Sequence, residues 1–183
     1  MIFCKLDYKY QPFFCEENIW WLGKSLQVKG LSLEKQYALF FSNDKQQIPL
    51  FFQDQGEGLV VWDYHVVLYY KDEISMIFDF NTLLPFPCNA QHYCAYTFPK
   101  KLPKEHQIYT RQIPMKDYHQ KFYSDRSHML DKNQKPLQPF PNWPAITGKK
   151  PHYTLDEYVD FKQQKISKVL PLDKFFTNLQ ITI

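Results

Sequence analysis

The chain has 183 residues, 18% of them aromatic, and a formal net charge of +3. This length predicts one domain with a sizeable buried core, and the 22 basic and 19 acidic residues are interleaved without the basic stripe of a nucleic-acid-binding surface. No apolar run approaches the ~20 residues that span a bilayer, and no secretory signal is recognisable. We therefore predict a cytoplasmic protein that binds neither nucleic acid nor membranes.

The first predicted element is a helix over residues 16–28. Ile19, Leu22 and Leu26 recur at the spacing of one helical face, and Gly30 supplies a stop. Strands are predicted to follow over residues 37–41, 48–52, 59–70 and 74–80. Polar turns are predicted to join the first two of these strands into one hairpin and the last two into another.

The second half of the sequence is less regular. Its predicted elements are a helix over 88–96, a strand over 108–113, a helix over 114–122, an ordered surface loop over 131–151, and helices over 155–161 and 173–179. Thr154 and Glu157 have the spacing of a capping box at the start of the fifth of these elements. No internal repeat or linker divides the chain, which predicts a single domain over residues 1–183.

Cys15 stands just before the first predicted helix. Unpaired backbone amides and the positive end of the helix dipole favour a thiolate there, lower the pKa of the thiol and can donate to an oxyanion. Glu16 and Glu17 would oppose a thiolate if they pointed inward. The position is nevertheless that of a nucleophile.

Two polar residues, His65 and Asp79, interrupt the strongly apolar strands of the second predicted hairpin. If Tyr70 faces Ile74 across the turn, counting back along both strands places His65 directly opposite Asp79, with their Cβ atoms ~5 Å apart on one face. A slip of one residue would put them on different faces. Cysteine, histidine and aspartate are a nucleophile, its base and the group that orients the base.

The four cysteines, Cys4, Cys15, Cys88 and Cys94, lack the spacing of a disulfide framework, so we predict free thiols in a reducing compartment. His92 lies between the last two and gives them a superficial likeness to a metal site. Their spacing matches no zinc pattern and a fourth ligand is not evident. We predict neither a metal nor a cofactor.

Four strings occur in this order along the chain: CEENIW at Cys15–Trp20, WDYHVVL at Trp62–Leu68, DFNTLLPFP at Asp79–Pro87 and SDRSHM at Ser124–Met129. Together they resemble the protein N-terminal glutamine amidohydrolase family, the WDYHV-motif family. The resemblance implies an α+β fold, namely an α-β-α sandwich with a mainly antiparallel sheet and a papain- and transglutaminase-like catalytic core. It also implies that Cys15 is the nucleophile, His65 the base and Asp79 the orienting group.

The activity that the resemblance implies is hydrolysis of the side-chain amide of an N-terminal glutamine to glutamate, through a thioester and with release of ammonia. The partners would be proteins or peptides with a free N-terminal glutamine, and the enzyme is expected to be a monomer. The substrate α-ammonium requires a carboxylate, for which the candidates are Glu17, Asp63 and Asp125. Trp20, Trp62 and Tyr64 are expected to contact the glutamine methylenes.

Several alternatives remain at this stage. A cysteine peptidase or a transglutaminase-like acyltransferase would use the same three residues, and an inactive module would bind glutamine-bearing N-termini without turning them over. His128, beside Asp125 and Arg126, is either part of the active-site wall or part of a surface turn. In a eukaryote the activity would supply the arginylation branch of the N-degron pathway.

Overall fold

An antiparallel six-stranded sheet lies at the centre of the fold in the computed structural model, which describes residues 2–147 and 153–179. The helices are α1 (Cys15–Val28), α2 (Ala90–Thr97), α3 (Met115–Lys121), α4 (Leu155–Val159) and α5 (Leu172–Asn178). The strands are β1 (Gln36–Ser42), β2 (Ile48–Phe51), β3 (Leu59–Trp62), β4 (Tyr64–Tyr70), β5 (Met76–Phe78), β6 (Cys88–Asn89), β7 (Tyr109–Pro114) and β8 (Val169–Pro171).

The large sheet has the strand order β6-β5-β4-β1-β7-β8 and is covered on both faces. Ala38 and Phe40 of β1 pack into a core with α1, α3 and α4, whereas Leu39 and Phe41 pack into a second core with α2 and α5. A strand covered on both faces is apolar throughout instead of alternating. The predicted α+β class and the mainly antiparallel sheet are therefore confirmed.

Helix α1 forms as its sequence predicts. Ile19, Leu22 and Leu26 are buried against the sheet. Gly30 takes a positive φ of 93°, which L-residues with a side chain rarely adopt, and the amide of Leu31 donates to the carbonyl of Leu26 at 3.0 Å. The helix thus has a fixed end, and it packs against the interior strands β4 and β1 with Cys15 as its first residue.

The first predicted hairpin is wrong. Strand β2 pairs with β3 in a separate two-stranded sheet, because both neighbours of β1 are β4 and β7. The predicted long strand over residues 59–70 is also wrong, since it breaks at Asp63. There the carboxylate of Asp63 accepts the Tyr64 amide at 2.8 Å, and its carbonyl accepts the Ser42 hydroxyl at 2.7 Å. The two halves of the predicted strand therefore belong to different sheets.

The predicted register of the second hairpin is wrong by two residues. Tyr70 pairs with Met76, not with Ile74, because the connecting loop is longer. Within that loop the Asp72 carboxylate accepts the Glu73 amide at 3.0 Å, which favours a turn over a strand. A shift of two residues preserves the face on which each side chain lies.

In the second half, α2, α3, α5 and β7 confirm predicted elements to within two residues. Strands β6 and β8 were not predicted. Helix α4 is shorter than predicted, and its expected capping box is wrong, because the Thr154 hydroxyl bonds to the backbone of Tyr123 at 2.9 and 3.2 Å. The loop predicted over residues 131–151 is irregular as far as 147, and its last four residues lie outside the described residues. None of the helices in the described ranges has the length and apolar character needed to cross a membrane.

Candidate active site

His65 and Asp79 form a buried pair. His65 is the second residue of β4, and Asp79 follows directly after β5. The distance from His65 Nε2 to Asp79 Oδ1 is 3.0 Å, and the exposed fractions of the two side chains are 0% and 1%. The two residues do not stand opposite each other in the ladder, since the paired part of β5 ends at Phe78. The predicted contact is confirmed, although the register that led to it is wrong.

The Asp79 carboxylate is held by three hydrogen-bond donors besides the imidazole. Oδ1 accepts the Asn81 amide at 2.9 Å, while Oδ2 accepts the Tyr93 hydroxyl at 2.9 Å and the Gln53 side-chain amide at 3.5 Å. Burial alone would raise the pKa of Asp79, but the charge of His65 and these hydrogen bonds together lower it. The carboxylate is therefore ionised and fixed in orientation.

The other nitrogen of the His65 ring, Nδ1, is buried and has no hydrogen-bond partner among the described residues. The Trp62 ring stacks on the imidazole with a centroid distance of 5.2 Å and an interplanar angle of 27°. Since Asp79 binds Nε2, the imidazole tautomer that carries its proton on Nε2 leaves Nδ1 as a lone-pair acceptor. The ring is thus oriented as a base.

Cys15 is the first residue of α1 and is partly exposed. Its sulfur is 3.7 Å from Oε2 of Glu16. Loss of water around the sulfur and the neighbouring Glu16 raise the pKa of the Cys15 thiol well above its ordinary value, and the backbone of Val66, the residue after His65, opposes them. The lowered thiol pKa expected from the helix terminus is therefore wrong for the substrate-free site, because burial and a carboxyl neighbour outweigh the helix dipole.

A cleft of about 650 Å³ opens beside the thiol. The residues around it that bear on chemistry are Cys15, Trp62, Asp63, Tyr64, His128 and Asp156. His65 lies behind Trp62, and the pair that it forms with Asp79 is screened from solvent. A substrate in this cleft would therefore contact the sulfur, whereas the imidazole lies against the Trp62 ring outside the lining.

Glu17 has a different environment from the one predicted. Its two carboxylate oxygens accept bidentate hydrogen bonds from Arg126 at 2.8 and 2.7 Å, and one also accepts the Trp143 indole N–H at 2.9 Å. The exposed fraction of the Arg126 side chain is 7% and that of Glu17 is 0%. The cluster fastens the irregular segment that carries His128 to the helix that begins with Cys15. Glu17 is thus occupied and is not open to a substrate.

Replacing Arg126 by alanine is expected to lower the free energy of unfolding by about 3–5 kcal/mol, because Glu17 would be left as an unpaired buried charge. Chemical denaturation followed by tryptophan fluorescence measures the change. Lys121→Ala is the matched control, since Lys121 pairs with Asp117 at 2.9 Å on the surface, and it should change little. Equal stability of the Arg126 variant and the wild type would contradict this role.

The remaining predicted substrate contacts divide into two groups. Trp62, Asp63 and Tyr64 line the cleft. Asp125 does not line it and caps a turn, where its Oδ1 accepts the amide and hydroxyl of Ser127 at 3.0 and 2.6 Å. Trp20 does not line the cleft either, because it packs against Trp21, His119 and the first core.

Sequence reasoning missed three residues of the site. Asp156 is exposed in the cleft, Tyr93 holds Asp79, and Glu16 lies buried between Cys15 and His128. A signal for Glu16 was available, because a carboxylate next to a predicted nucleophile at a helix start must lie either in solvent or in the site. Tyr93 and Asp156 had no such signal, because their elements pack against the site only in the folded structure.

His128 belongs to the wall of the cleft, which decides between its two earlier interpretations. Burial lowers its pKa, against the raising effect of nearby carboxylates. Of the three residues with a superficial likeness to a metal site, Cys88 and Cys94 are buried in the second core, whereas His92 stacks on Tyr96.

Comparison with known proteins agrees with these observations. The model of the family described as N-terminal glutamine amidase matches residues 10–179. The protein N-terminal glutamine amidohydrolase of Danio rerio is 36% identical over 157 residues, which are 82% of this chain and 78% of the relative. Its namesake in Drosophila melanogaster is 33% identical over 181 residues, which are 94% of this chain and 88% of the relative. The protein of the same name in Bos taurus is 35% identical over 157 residues, or 82% and 76% of the two chains.

Proposed function

The chain belongs to the N-terminal glutamine amidase family, and we propose that it hydrolyses the side-chain amide of an N-terminal glutamine with Cys15 as nucleophile. His65 is the base and Asp79 orients it. The observation that carries this assignment is the buried His65–Asp79 pair, which leaves Nδ1 of the imidazole unpaired while Cys15 lines the cleft.

The proposed reaction proceeds through a thioester. Nδ1 of His65 takes the proton of the Cys15 thiol as the sulfur attacks the side-chain amide carbon of glutamine. The imidazolium then protonates the amide nitrogen, and ammonia leaves as the C–N bond breaks. Water, activated by the same imidazole, hydrolyses the thioester to glutamate and restores the thiol. Backbone amides in the first turn of α1 are suited to stabilise the oxyanion.

The charge of the cleft supports a substrate with a free N-terminus. Asp63 and Asp156 line it, and no lysine or arginine does so among the described residues around it. Of the three carboxylates considered from the sequence, Asp63 is the one that reaches this lining, so we assign the α-ammonium to it. The rings of Trp62 and Tyr64 would pack against the glutamine methylenes.

The same arrangement supports a papain- and transglutaminase-like catalytic core. Such a core has its nucleophile at the start of a helix, and this helix packs against an antiparallel sheet in which one strand carries the histidine.

The cysteines support a reducing compartment, because the four thiols are free: Cys4, Cys15, Cys88 and Cys94. We propose that the enzyme acts as a monomer in the cytoplasm.

A peptide that begins with glutamine is expected to release ammonia and to acquire the mass of the glutamate peptide, while its N-acetylated form stays unchanged. Coupled ammonia detection and mass spectrometry measure both. Cleavage of the peptide chain would indicate a peptidase, and incorporation of an added amine would indicate an acyltransferase. Binding without any change of mass would indicate a recognition module, and each of these results would contradict the proposed reaction.

Asp63→Asn is expected to raise KM for a glutamine peptide by about 10–100-fold with a much smaller change in kcat, since it removes a charge–charge contact made equally in ground and transition states. Steady-state kinetics measure KM and kcat separately. Asp125→Asn is the control, because Asp125 lies outside the lining of the cleft, and it should leave KM unchanged. A fall confined to kcat in Asp63→Asn would show that Asp63 has another role.

A further inference from the structure

Glu16 lies next to the nucleophile, and the proposed mechanism does not use it. Its side chain is fully buried. Oε2 is 3.7 Å from the sulfur of Cys15 and accepts the hydroxyl of Tyr64 at 3.1 Å. Oε1 is 3.8 Å from Nε2 of His128 and has no hydrogen-bond partner among the described residues. A buried carboxyl group with one unused oxygen requires a physical explanation.

Among the residues that the structure describes, none around Glu16 provides a lysine or arginine to balance a negative charge. The titratable groups that face it from the elements packed around it are Cys15, Glu17, Tyr64, Tyr118, His128 and Tyr153. Arg126 is already paired with Glu17 and does not contact Glu16. His128 is held in its neutral form near pH 7, since burial lowers its pKa. The environment therefore favours an uncharged Glu16.

We propose that Glu16 is a positioning residue that acts through Cys15 in its neutral acid form, donating its O–H to the sulfur when the thiolate forms. The inference rests on the proposed function of Cys15. In this arrangement the thiol proton moves to His65 and Glu16 keeps its own proton. If Glu16 ionised, its charge would stand beside the thiolate and disfavour it.

The pKa of Glu16 gives this arrangement its pH range. Burial raises the pKa to about 8, with Glu17 adding to the effect and the hydrogen bonds of Glu16 opposing it. Below this pH the carboxyl group carries a proton that it can donate. Above it the group is negative, so thiolate formation and turnover should fall. At one pH unit above the pKa, about a tenth of the groups remain protonated.

The test compares Glu16→Gln with the wild type between about pH 6 and pH 9.5, a range that brackets the pKa of Glu16 of about 8. One readout is the rate of glutamine deamidation. The other is alkylation of Cys15 by iodoacetamide, quantified by mass spectrometry of the peptide that contains Cys15, because it requires no turnover of glutamine. Glu105→Gln removes the same charge from an exposed site and is the matched control.

In the wild type, deamidation is expected to fall about fivefold between pH 8 and pH 9 relative to Glu16→Gln, because the amide cannot ionise. At pH 9 Cys15 should be alkylated about tenfold faster in Glu16→Gln than in the wild type, while Glu105→Gln follows the wild type. Parallel pH profiles in Glu16→Gln and the wild type would overturn the inference. So would a uniform loss of both rates in Glu16→Gln, since it would indicate that an ionised carboxylate is required.

A second variant covers the case in which Glu16→Gln does not fold. Tyr64→Phe removes the hydroxyl that lowers the pKa of Glu16, so the alkaline fall should move to higher pH. If the activity of Tyr64→Phe fell at the same alkaline pH as that of the wild type, the inference would be contradicted. If the wild type failed to deamidate any glutamine peptide while Cys15 alkylation still depended on Glu16 as described, the proposed function would be wrong and the link between Glu16 and the thiol would stand.

Discussion

Cys15→Ala is expected to reduce the release of ammonia from a glutamine peptide by about 1,000-fold or more. The methyl group of alanine cannot form the thioester. Neither His65 nor Asp79 can replace the thiol as nucleophile, because both are buried behind Trp62. Because the side chain is small and partly exposed, the fold should be retained. Single-turnover assays at high enzyme concentration, with thermal denaturation as the check on folding, measure the effect.

The control for this change is Cys4→Ser, which alters an exposed thiol at the start of the chain. It should deamidate the peptide at the wild-type rate. Substantial activity in Cys15→Ala would contradict the assigned nucleophile. Loss of activity in Cys4→Ser as well would show that the assay responds to cysteine replacement in general.

Asp79→Asn is expected to lower kcat by about 10,000-fold, the size of effect known for the orienting aspartate of a catalytic triad. The amide N–H of asparagine can donate to Nε2 of His65, which forces the imidazole proton onto Nδ1. Nδ1 then cannot accept the proton of the Cys15 thiol. Peptide binding by the variant should be nearly unchanged, since Asp79 lies behind the cleft lining, and isothermal titration measures it.

Tyr93→Phe provides a graded comparison with Asp79→Asn. It removes one hydrogen bond of 2.9 Å from the Asp79 carboxylate but leaves the charge and the contact with His65 in place. Its kcat should fall only about tenfold, in line with the free energy of one hydrogen bond to a charged group. Equal losses in the two variants would indicate that the hydrogen-bond network matters for folding and not for the tautomer of His65.

The contact between His65 and Asp79 could be predicted because successive side chains of a strand point to opposite faces of the sheet, with a period of two residues. The predicted register was wrong by two residues, and an even error leaves both side chains on the same face of the sheet. The helix that begins with Cys15 was predictable for a similar reason, since its apolar spacing and the glycine at its end are local signals. Local periodicity therefore predicted the His65–Asp79 contact and the helix of Cys15, but it could not predict how Cys15 lies relative to the other two residues.

Partners that are distant in sequence could not be predicted. Glu17 was a candidate for the substrate ammonium, but Arg126 occupies it, and no local pattern links the two. The same holds for β2, whose neighbour is β3 because β4 and β7 already pair with both edges of β1. Glu16 is buried although a glutamate in the first turn of a helix is usually solvated, and only the packing of Tyr64 and His128 around it reveals this.

The pairing of Glu17 with Arg126 has a consequence for the timing of folding in the cell. The two residues are 109 positions apart, so the ribosome releases the helix of the nucleophile long before it has synthesised the arginine. A carboxylate without its partner is costly to bury, and the helix cannot dock in its final place until then. Nascent chains that terminate before the arginine should therefore leave this helix undocked and open to proteolysis.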